Sequence, residues 1–431
     1  MLILGLIFFQ TWIITSRADS GDLVVEFSPK QLLELKMYNT QTINFTIFDL
    51  TAEEINSDYV YFFSQNMGVA SVNPEYVKLS TQEIKNNTLT SSFNVTANFI
   101  GYDEIKLVLK DQNTAKRYSK AVNVTVVRTK RLIDTIFIIC VITLMSIVFI
   151  NFGCALDFEV IRNTLRRPIG PGVGCVTQFI FMPLISFALG QLLFSNSVAM
   201  QLGFFFTGIS PGGGASNVWT IVLQGNMNLS LTMTTISTLA AFIMMPLWAF
   251  TLGQVIFHGG SLVIPYSKIL QSAVSLLIPL SIGFAVQKFY PKISRIMVRI
   301  LKPLSAVVII FIVVFATVTN FYLFKLFTWQ IVLAGLGLPF FGYLFGAILA
   351  KSFNLSIEDI IAISVETGVQ NTGIAIFMLQ FSLGQPEADL TTVAPVAVAA
   401  MTPLPLLCMC AIQKLCTPKQ PILRNGEYRY Q

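Results

Sequence analysis

Apolar stretches of about 20 residues or more, each long enough to cross a lipid bilayer as a helix, dominate the chain after residue 131. Nine such segments, numbered here in chain order, lie at 132–152, 169–193, 198–223, 228–256, 263–288, 295–320, 328–350, 355–384 and 389–413. Only 12% of all side chains are charged, against roughly 25% in soluble domains. The pattern predicts a polytopic α-helical membrane protein whose transmembrane domain covers residues 132–413.

The third segment is interrupted by the sequence SPGGGASN, residues 210–217. Pro211, Gly212, Gly213 and Gly214 predict a broken helix. A weaker break, flanked by Gly368 and Gly373, is predicted in the eighth segment. Backbone groups freed by a break cannot be satisfied by lipid, so a break is tolerated only where protein, water or a ligand satisfies them. Both breaks are therefore predicted to lie inside the helix bundle, beside a bound ligand, and a flexible hinge without a ligand is the alternative.

Segments 2–4 and 7–9 carry matching sequence markers. TTISTLAAFIMMP begins at Thr234 and TTVAPVAVAAMTP begins at Thr391, 157 positions later. Because an odd number of segments separates the two copies, the second copy enters the membrane upside down. The markers predict inverted repeats with two broken helices that cross, an arrangement that marks the binding site of secondary transporters.

The first 128 residues have a different character. Residues 1–20 contain a short apolar run and end in Ala18-Asp19-Ser20, which predicts a signal peptide, with an uncleaved anchor as the alternative. Residues 21–128 consist of short alternating or β-branched runs separated by polar turns, which predicts an extracellular all-β, sandwich-like domain. Four N-x-S/T sequons predict its glycosylation, at Asn44, Asn86, Asn94 and Asn123.

Charge in the connecting loops predicts the orientation of the bundle. A signal peptide places the β domain outside, so nine segments end with a cytoplasmic tail, residues 414–431. The loops that this topology puts in the cytosol hold most of the basic residues between the segments: Arg162, Arg166, Arg167, Lys288, Lys292, Arg295 and Lys351. The net charge of +6 therefore reflects loop asymmetry, and no nucleic-acid partner is predicted. The expected location is the lipid bilayer of the secretory route, with the plasma membrane as the destination.

One acidic residue, Glu366, lies deep within the predicted segments. A buried carboxylate is costly without a partner, and no lysine or arginine lies in the deep parts of segments 2, 3, 4 or 8. The partner is therefore a cation or a proton on Glu366 itself. Calcium prefers more carboxylates, so the neutral oxygen ligands near Glu366 favour sodium. These ligands belong to Gln178, Ser216, Asn217, Ser230, Thr234, Gln370 and Asn371. A polar cluster that only holds helices together is the alternative.

These motifs resemble the bile acid:sodium symporter family over about residues 132–413. The family's PGG-x-x-SN pattern is matched at Pro211–Asn217, its Ser-x-x-x-Thr pattern at Ser230 and Thr234, its E-x-G-x-Q-N pattern at Glu366–Asn371, and its QF-x-x-MP pattern at Gln178–Pro183. The N-terminal signal peptide and β domain are similar to one branch of that family. The sequence AVAAMTPLPLL in the last segment departs from the polar substrate contacts of bile-acid-transporting members.

The resemblance implies two sodium sites that share one carboxylate. The first comprises Ser216, Asn217, Ser230, Thr234 and Glu366. The second comprises Gln178, Glu366, Gln370 and the backbone carbonyls of Thr367 and Val369. The resemblance also implies a substrate contact at Asn371, and a core of segments 2–4 and 7–9 that moves against a panel of segments 1, 5 and 6.

The sequence thus predicts a sodium-coupled symporter of an organic anion of the bile-acid or steroid-conjugate type, working by alternating access. No nucleophile–base pair or metal motif indicates an enzyme, and sodium as the coupling ion is the only cofactor-like species predicted. Two alternatives stay open: proton coupling through Glu366, and a receptor or adhesion protein that acts through its β domain, whose protein partner the sequence does not indicate.

Overall fold

The computed structural model describes residues 23–79, 82, 84–85, 87–111, 114–129, 131–156, 158–166, 168–259, 265–300, 328–416, 422–424 and 427–429. The chain divides into two compact units, Met1–Lys130 and Arg131–Gln431. The predicted signal peptide, the acceptor Asn86 and most of the sixth apolar segment lie outside the described residues.

The N-terminal unit contains two β-sheets. Its strands are β1 Val25–Ser28, β2 Leu32–Lys36, β3 Thr40–Ile47, β4 Asp58–Ser64, β5 Ala70–Asn73, β6 Tyr76–Lys78, β7 Ile84–Lys85, β8 Thr88–Ala97, β9 Gly101–Asp111, β10 Thr114–Tyr118 and β11 Val122–Val127. The five-stranded sheet has the order β1-β3-β8-β5, with β7 paired to β8. The six-stranded sheet has the order β2-β11-β9-β4-β6, with β10 paired to β9.

Alternation of apolar and polar side chains along the strands produces a core between the two sheets. In β3 every second residue from Ile43 to Ile47 is buried, and the rings of Phe45 and Phe62, one from each sheet, lie 5.4 Å apart. The predicted β-rich N-terminal region is confirmed. A short helix, α1 Ala52–Ser57, is an addition to the all-β prediction, and it starts with a capping box between Thr51 and Glu54.

The second unit is helical. Its helices are α2 Leu132–Ala155, α3 Phe158–Leu165, α4 Ile169–Val176, α5 Met182–Leu193, α6 Val198–Gly208, α7 Ala215–Val222, α8 Met227–Phe250, α9 Leu252–Gly259, α10 Tyr266–Ser275, α11 Leu277–Phe289, α12 Trp329–Ser352, α13 Ile357–Gly368, α14 Thr372–Ser382, α15 Glu387–Met401 and α16 Pro403–Cys416. A π-helical turn, Thr177–Phe181, joins α4 to α5, and residues 291–300 are also helical. The strands β12 Ile422–Arg424 and β13 Glu427–Arg429 form a hairpin within the predicted tail.

Six helices in the described part of the chain are long and apolar enough to cross a membrane: Asp134–Ala155, Ile169–Leu193, Met227–Phe257, Tyr266–Phe289, Trp329–Ser352 and Glu387–Gln413. They correspond to predicted segments 1, 2, 4, 5, 7 and 9. Segments 3 and 8 appear as pairs of shorter helices, α6 with α7 and α13 with α14. The chain is therefore an integral membrane protein, whereas the count of nine spans and the inverted repeats stay predictions.

Glycines allow close helix packing away from the breaks. A methyl group on Gly153 of α2 would overlap the backbone of α11, and one on Gly283 of α11 would overlap the backbone of α2. Small residues at such contacts let the backbones of membrane helices approach closely. Segments 1 and 5 are therefore packed together through backbone contact, as two members of the predicted panel.

Candidate functional site

The two broken helices meet at their breaks. Between α6 and α7 the backbone leaves the helical conformation at Ser210–Gly214, and between α13 and α14 it does so at Val369–Asn371. The N–H of Gly213 donates to the carbonyl of Val369 at 2.7 Å, and the N–H of Asn371 donates to the carbonyl of Pro211 at 2.9 Å. Each break thus satisfies backbone groups that the other break has freed, which explains why both are tolerated in a membrane protein.

Glycine is required at the crossing for close approach. A methyl group on Gly212 would overlap Oε1 of Glu366, and one on Gly213 would lie 2.8 Å from the carbonyl oxygen of Gln370. Gly368 flanks the second break, as predicted, and it also allows close packing. It is the last residue of α13, and a methyl group there would overlap the ring of Tyr343, so it permits packing against α12 while the break itself begins at Val369.

Glu366 lies at the centre of the crossing and is 2% exposed. Its Oε2 accepts hydrogen bonds from Ser216 Oγ at 2.5 Å and from Ser230 Oγ at 3.3 Å. Its Oε1 is buried and has no hydrogen-bond partner among the described residues. A buried carboxylate oxygen without a donor is energetically costly, which points to a bound cation or proton at this position.

Hydroxyl and amide groups extend the network from Glu366 Oε2. The single hydroxyl hydrogen of Ser230 is shared between Glu366 Oε2 and Asn217 Oδ1, which lies 3.0 Å from Ser230 Oγ. Asn217 Nδ2 lies 3.3 Å from Thr234 Oγ1. All five residues assigned to the first sodium site therefore lie in one connected cluster on α7, α8 and α13. Thr220 also belongs to this cluster, since its Oγ1 donates to Ser230 Oγ at 3.2 Å. The sequence analysis missed Thr220, although it lies four residues after Ser216 and so on the same helical face.

The residues assigned to the second sodium site form a hydrogen-bonded group of their own. Gln178 Nε2 donates to Gln370 Oε1 at 2.9 Å and to the carbonyl of Ser210 at 2.7 Å, while Gln370 Nε2 donates to the carbonyl of Thr367 at 2.6 Å. The two glutamines are thus hydrogen-bonded to each other. The carbonyl of Val369 accepts from Gly213, which leaves its second lone pair for another partner.

A small cavity, here called the inner cavity, adjoins the carboxylate. Its volume is about 10 Å³, roughly enough for one water molecule. Its lining includes Glu366, Gln178, Ser237, Gly174, Cys175 and Met233. The cavity therefore has space for one small ion or water beside the residues of the second site.

Gln178 lies in the π-helical turn, a feature that is frequent at functional sites. Pro183 has no N–H to donate to the carbonyl of Phe179, and Trp248 Nε1 donates to that carbonyl instead, at 2.8 Å. Thr177 Oγ1 and Thr367 Oγ1 are 2.8 Å apart and join this turn to α13. Trp248 and Thr177 were not singled out from the sequence, and both hold the turn that positions Gln178.

Asn371, the predicted substrate contact, is half-buried and caps α14, where its Oδ1 accepts from the N–H of Ile374 at 3.2 Å. Gly214 is the N-cap residue of α7. Both helices therefore begin at the crossing, and their N-termini place partial positive charge there.

Comparison with known proteins agrees with this geometry. Residues 141–327 match the model of the Sodium Bile acid symporter family. Human P3 protein is 32% identical over 259 residues, which are 59% of this chain and 54% of that protein. Rat sodium/bile acid cotransporter 5 is 29% identical over 272 residues, 63% of this chain and 62% of the relative. Human ileal sodium/bile acid cotransporter is 32% identical over 254 residues, 58% of this chain and 72% of the relative.

The chain thus matches little more than half the length of P3 protein, but it matches more than two thirds of the ileal cotransporter. The family model includes the break at Pro211 and ends before Glu366. The resemblance inferred from the sequence motifs is confirmed by these matches: the chain belongs to the sodium/bile acid symporter family.

Proposed function

We propose that this protein is a sodium-coupled symporter of an organic anion that works by alternating access. The observation that carries the proposal is the carboxylate of Glu366, which is buried at the crossing of two broken helices with Oε1 lacking any partner among the described residues. The names of the relatives, two of them sodium/bile acid cotransporters, support the same class of transport.

The first sodium ion is proposed to bind between Ser216, Asn217, Ser230, Thr234 and Glu366. Their side chains form one hydrogen-bonded cluster with spacings of 2.5 to 3.3 Å, in which Asn217 Nδ2 makes the link to Thr234. A set with one carboxylate and otherwise neutral oxygens suits a monovalent ion, because divalent calcium prefers several carboxylates. Entry of the ion requires Ser216 and Ser230 to turn their hydrogens away from the carboxylate.

The second sodium ion is proposed to bind beside Glu366 Oε1, with Gln178, Gln370 and the carbonyls of Thr367 and Val369 as further ligands. The inner cavity contacts Glu366 and Gln178 and has the volume for one small ion. Binding there requires Gln178 to exchange its hydrogen bond with Gln370 for an oxygen–sodium contact. This exchange couples ion binding to the geometry of the crossing.

The charge of the loaded site favours an anionic substrate. Two sodium ions and one carboxylate leave about one net positive charge, and the N-termini of α7 and α14 add partial positive charge. A monovalent organic anion of the bile-acid or steroid-conjugate type, bound next to Asn371, would balance this charge. Bound sodium supplies this positive charge and so raises the affinity for the anionic substrate. By thermodynamic linkage, the substrate must raise the affinity for sodium by the same factor.

The proposed setting is the plasma membrane, with the β domain outside and the C-terminus in the cytosol. Asn44, Asn94 and Asn123 lie exposed on strands β3, β8 and β11, as glycan acceptors must. The core of segments 2–4 and 7–9 contains the crossing, and it would rock against the panel formed by segments 1, 5 and 6.

An uptake screen with organic anions, performed in sodium and in a sodium-free medium, tests the proposal. Uptake is expected to require sodium, to rise with a Hill coefficient above one in sodium, and to increase on hyperpolarisation, because two cations enter with one monoanion. Uptake that is indifferent to both sodium and voltage would show a facilitator. Coupling to a pH gradient without sodium would show a proton symporter that uses Glu366.

A further inference from the structure

A second, larger cavity opens at the end of the bundle that is predicted to face the cytosol. This mouth cavity has a volume of about 660 Å³ and lies where α4, α8 and α13 begin; its lining includes Thr164, Gly170, Pro171, Asn226, Leu229 and Asp359. Asp359 is the only charged residue among the described lining residues. Its Oδ1 accepts a hydrogen bond from Asn226 Nδ2 at 2.7 Å.

The mouth cavity and the inner cavity follow the same helices. Pro171 of α4 lines both of them. Four-residue steps along α4 and α8 lead from one cavity to the other: Gly170 and Leu229 line the mouth cavity, and Gly174 and Met233 line the inner cavity. The inner cavity ends at Glu366, whose Oε1 has no partner among the described residues. The two cavities therefore lie in series between the predicted cytosolic surface and the carboxylate.

Two side chains of α8 close the space between the cavities. A methyl group on Gly170 would lie 3.3 Å from Leu229 Cδ1, and a methyl group on Gly174 would overlap Met233 Cε. Leu229 and Met233 are each 5% exposed and lie one helical turn apart. The two glycines thus form a groove in α4, and the apolar side chains of Leu229 and Met233 fill it.

We propose that this groove is the route by which sodium passes between Glu366 and the cytosol, and that Leu229 and Met233 are the seal that closes it. An apolar constriction stops ions because water and hydrated ions are excluded from it. Methionine is unbranched and changes rotamer readily, so Met233 can leave the groove without a backbone movement. Glycine at 170 and 174 keeps the groove wide enough for an ion once the side chains have moved.

The inference rests on the proposed sodium site, but a separate readout tests it. Cys175 lines the inner cavity and is half-buried, so the part of its reaction that sodium slows reports access to that cavity. The probe is Ag⁺, a monovalent cation close to sodium in size, which forms an S–Ag bond with the thiol as the thiol proton is released to water. The full-length chain would keep Cys175 and carry serine at Cys140, Cys154, Cys408, Cys410 and Cys416. After the Ag⁺ reaction is quenched and the protein is denatured, the remaining free thiols are counted, which gives the rate of Cys175 modification.

Met233→Ala is expected to raise the rate of Cys175 modification about tenfold or more, since lowering the barrier by about 1.4 kcal/mol is sufficient for that change. Met233→Leu, which keeps the seal apolar and filled, should react at nearly the parent rate. Met244→Ala is the matched control, because Met244 is half-buried on the same helix and lines neither cavity. Sodium should slow the reaction in the parent and in Met233→Ala by filling the inner cavity.

A Met233→Ala rate equal to the Met244→Ala rate would overturn the seal. Sodium-dependent thermal stabilisation, measured on the same samples, keeps this result separate from the proposed function. If sodium stabilises the chain and the rates are equal, the route is wrong and the ion site stands. If Met233→Ala reacts faster and sodium stabilises neither protein, the access route is supported and the sodium site fails.

Discussion

Replacing Gly212 by alanine places a methyl group on Oε1 of Glu366. The carboxylate cannot move away freely, because Ser216 Oγ at 2.5 Å and Ser230 Oγ at 3.3 Å hold Oε2. In the sodium-bound state the two hydroxyl hydrogens have turned away, and the displaced Oε1 loses its contact with the ion. That contact is worth at least as much as a hydrogen bond to a charged group, about 1.5–3 kcal/mol. Because about 1.4 kcal/mol is a factor of ten, the sodium dissociation constant should rise about 10- to 100-fold.

Gly172→Ala is the matched control for this substitution. A methyl group on Gly172 has no atom within 4 Å, and alanine in a helix is more favourable than glycine by about 0.5–1 kcal/mol. The sodium dissociation constant of Gly172→Ala should therefore equal that of the wild type, with stability unchanged or slightly higher.

The assay is the thermal midpoint of the purified protein as a function of sodium concentration, because a ligand that binds only the folded state stabilises it in proportion to the logarithm of its concentration. Gly212→Ala should need about 10- to 100-fold more sodium than Gly172→Ala for the same shift. Equal sodium titrations of the two folded variants would refute the placement of the ion at the carboxylate.

Three further predictions concern parts of the chain away from Gly212. Trp248→Phe should lower the free energy of unfolding by about 1–3 kcal/mol and weaken sodium binding, because the carbonyl of Phe179 loses its donor. Chemical denaturation measures the loss, with Trp329→Phe, which changes an exposed side chain, as the control. Equal losses in the two variants would show that the hydrogen bond of Trp248 does not stabilise the fold. Replacing Asn44, Asn94 and Asn123 by glutamine should increase gel mobility by the mass of their glycans, and an unchanged band would contradict the extracellular β domain. An epitope after Gln431 should be detected only in permeabilised cells, since nine segments starting outside end in the cytosol; labelling of intact cells would mean that one segment is miscounted.

The positions of the breaks and the identity of the central carboxylate follow from the sequence because rare residues mark them. A Pro-Gly-Gly-Gly run in an apolar segment, and a glutamate far from either end of its segment, have few structural explanations. The breaks then determine which polar side chains meet, and Ser216, Ser230 and Asn217 do lie in one cluster with Glu366.

Other parts of the site depend on contacts that no local pattern contains. Thr177 meets Thr367 from 190 positions away, and Trp248 bonds a carbonyl 69 positions away, so neither residue is distinguishable from an ordinary buried side chain in the sequence. Gly368 does flank the break, as its low helix propensity predicts, but its close approach to Tyr343 is a long-range contact that the sequence does not show. The capping box of Thr51 and Glu54 is a local sequence signal for α1, but the strand-rich pattern on both sides of it favours an all-β prediction.

Radioactive sodium binding to purified wild type, Glu366→Ala and Glu358→Ala tests the central claim most directly. Glu366 is 2% exposed at the crossing, whereas Glu358 is exposed in the first turn of α13, so both substitutions remove a carboxylate and only one removes the proposed countercharge. The account predicts that wild type and Glu358→Ala bind sodium alike and that Glu366→Ala, shown by circular dichroism to be folded, binds none at concentrations that saturate the wild type. If folded Glu366→Ala bound sodium as well as the wild type does, the proposed site at Glu366 would be contradicted.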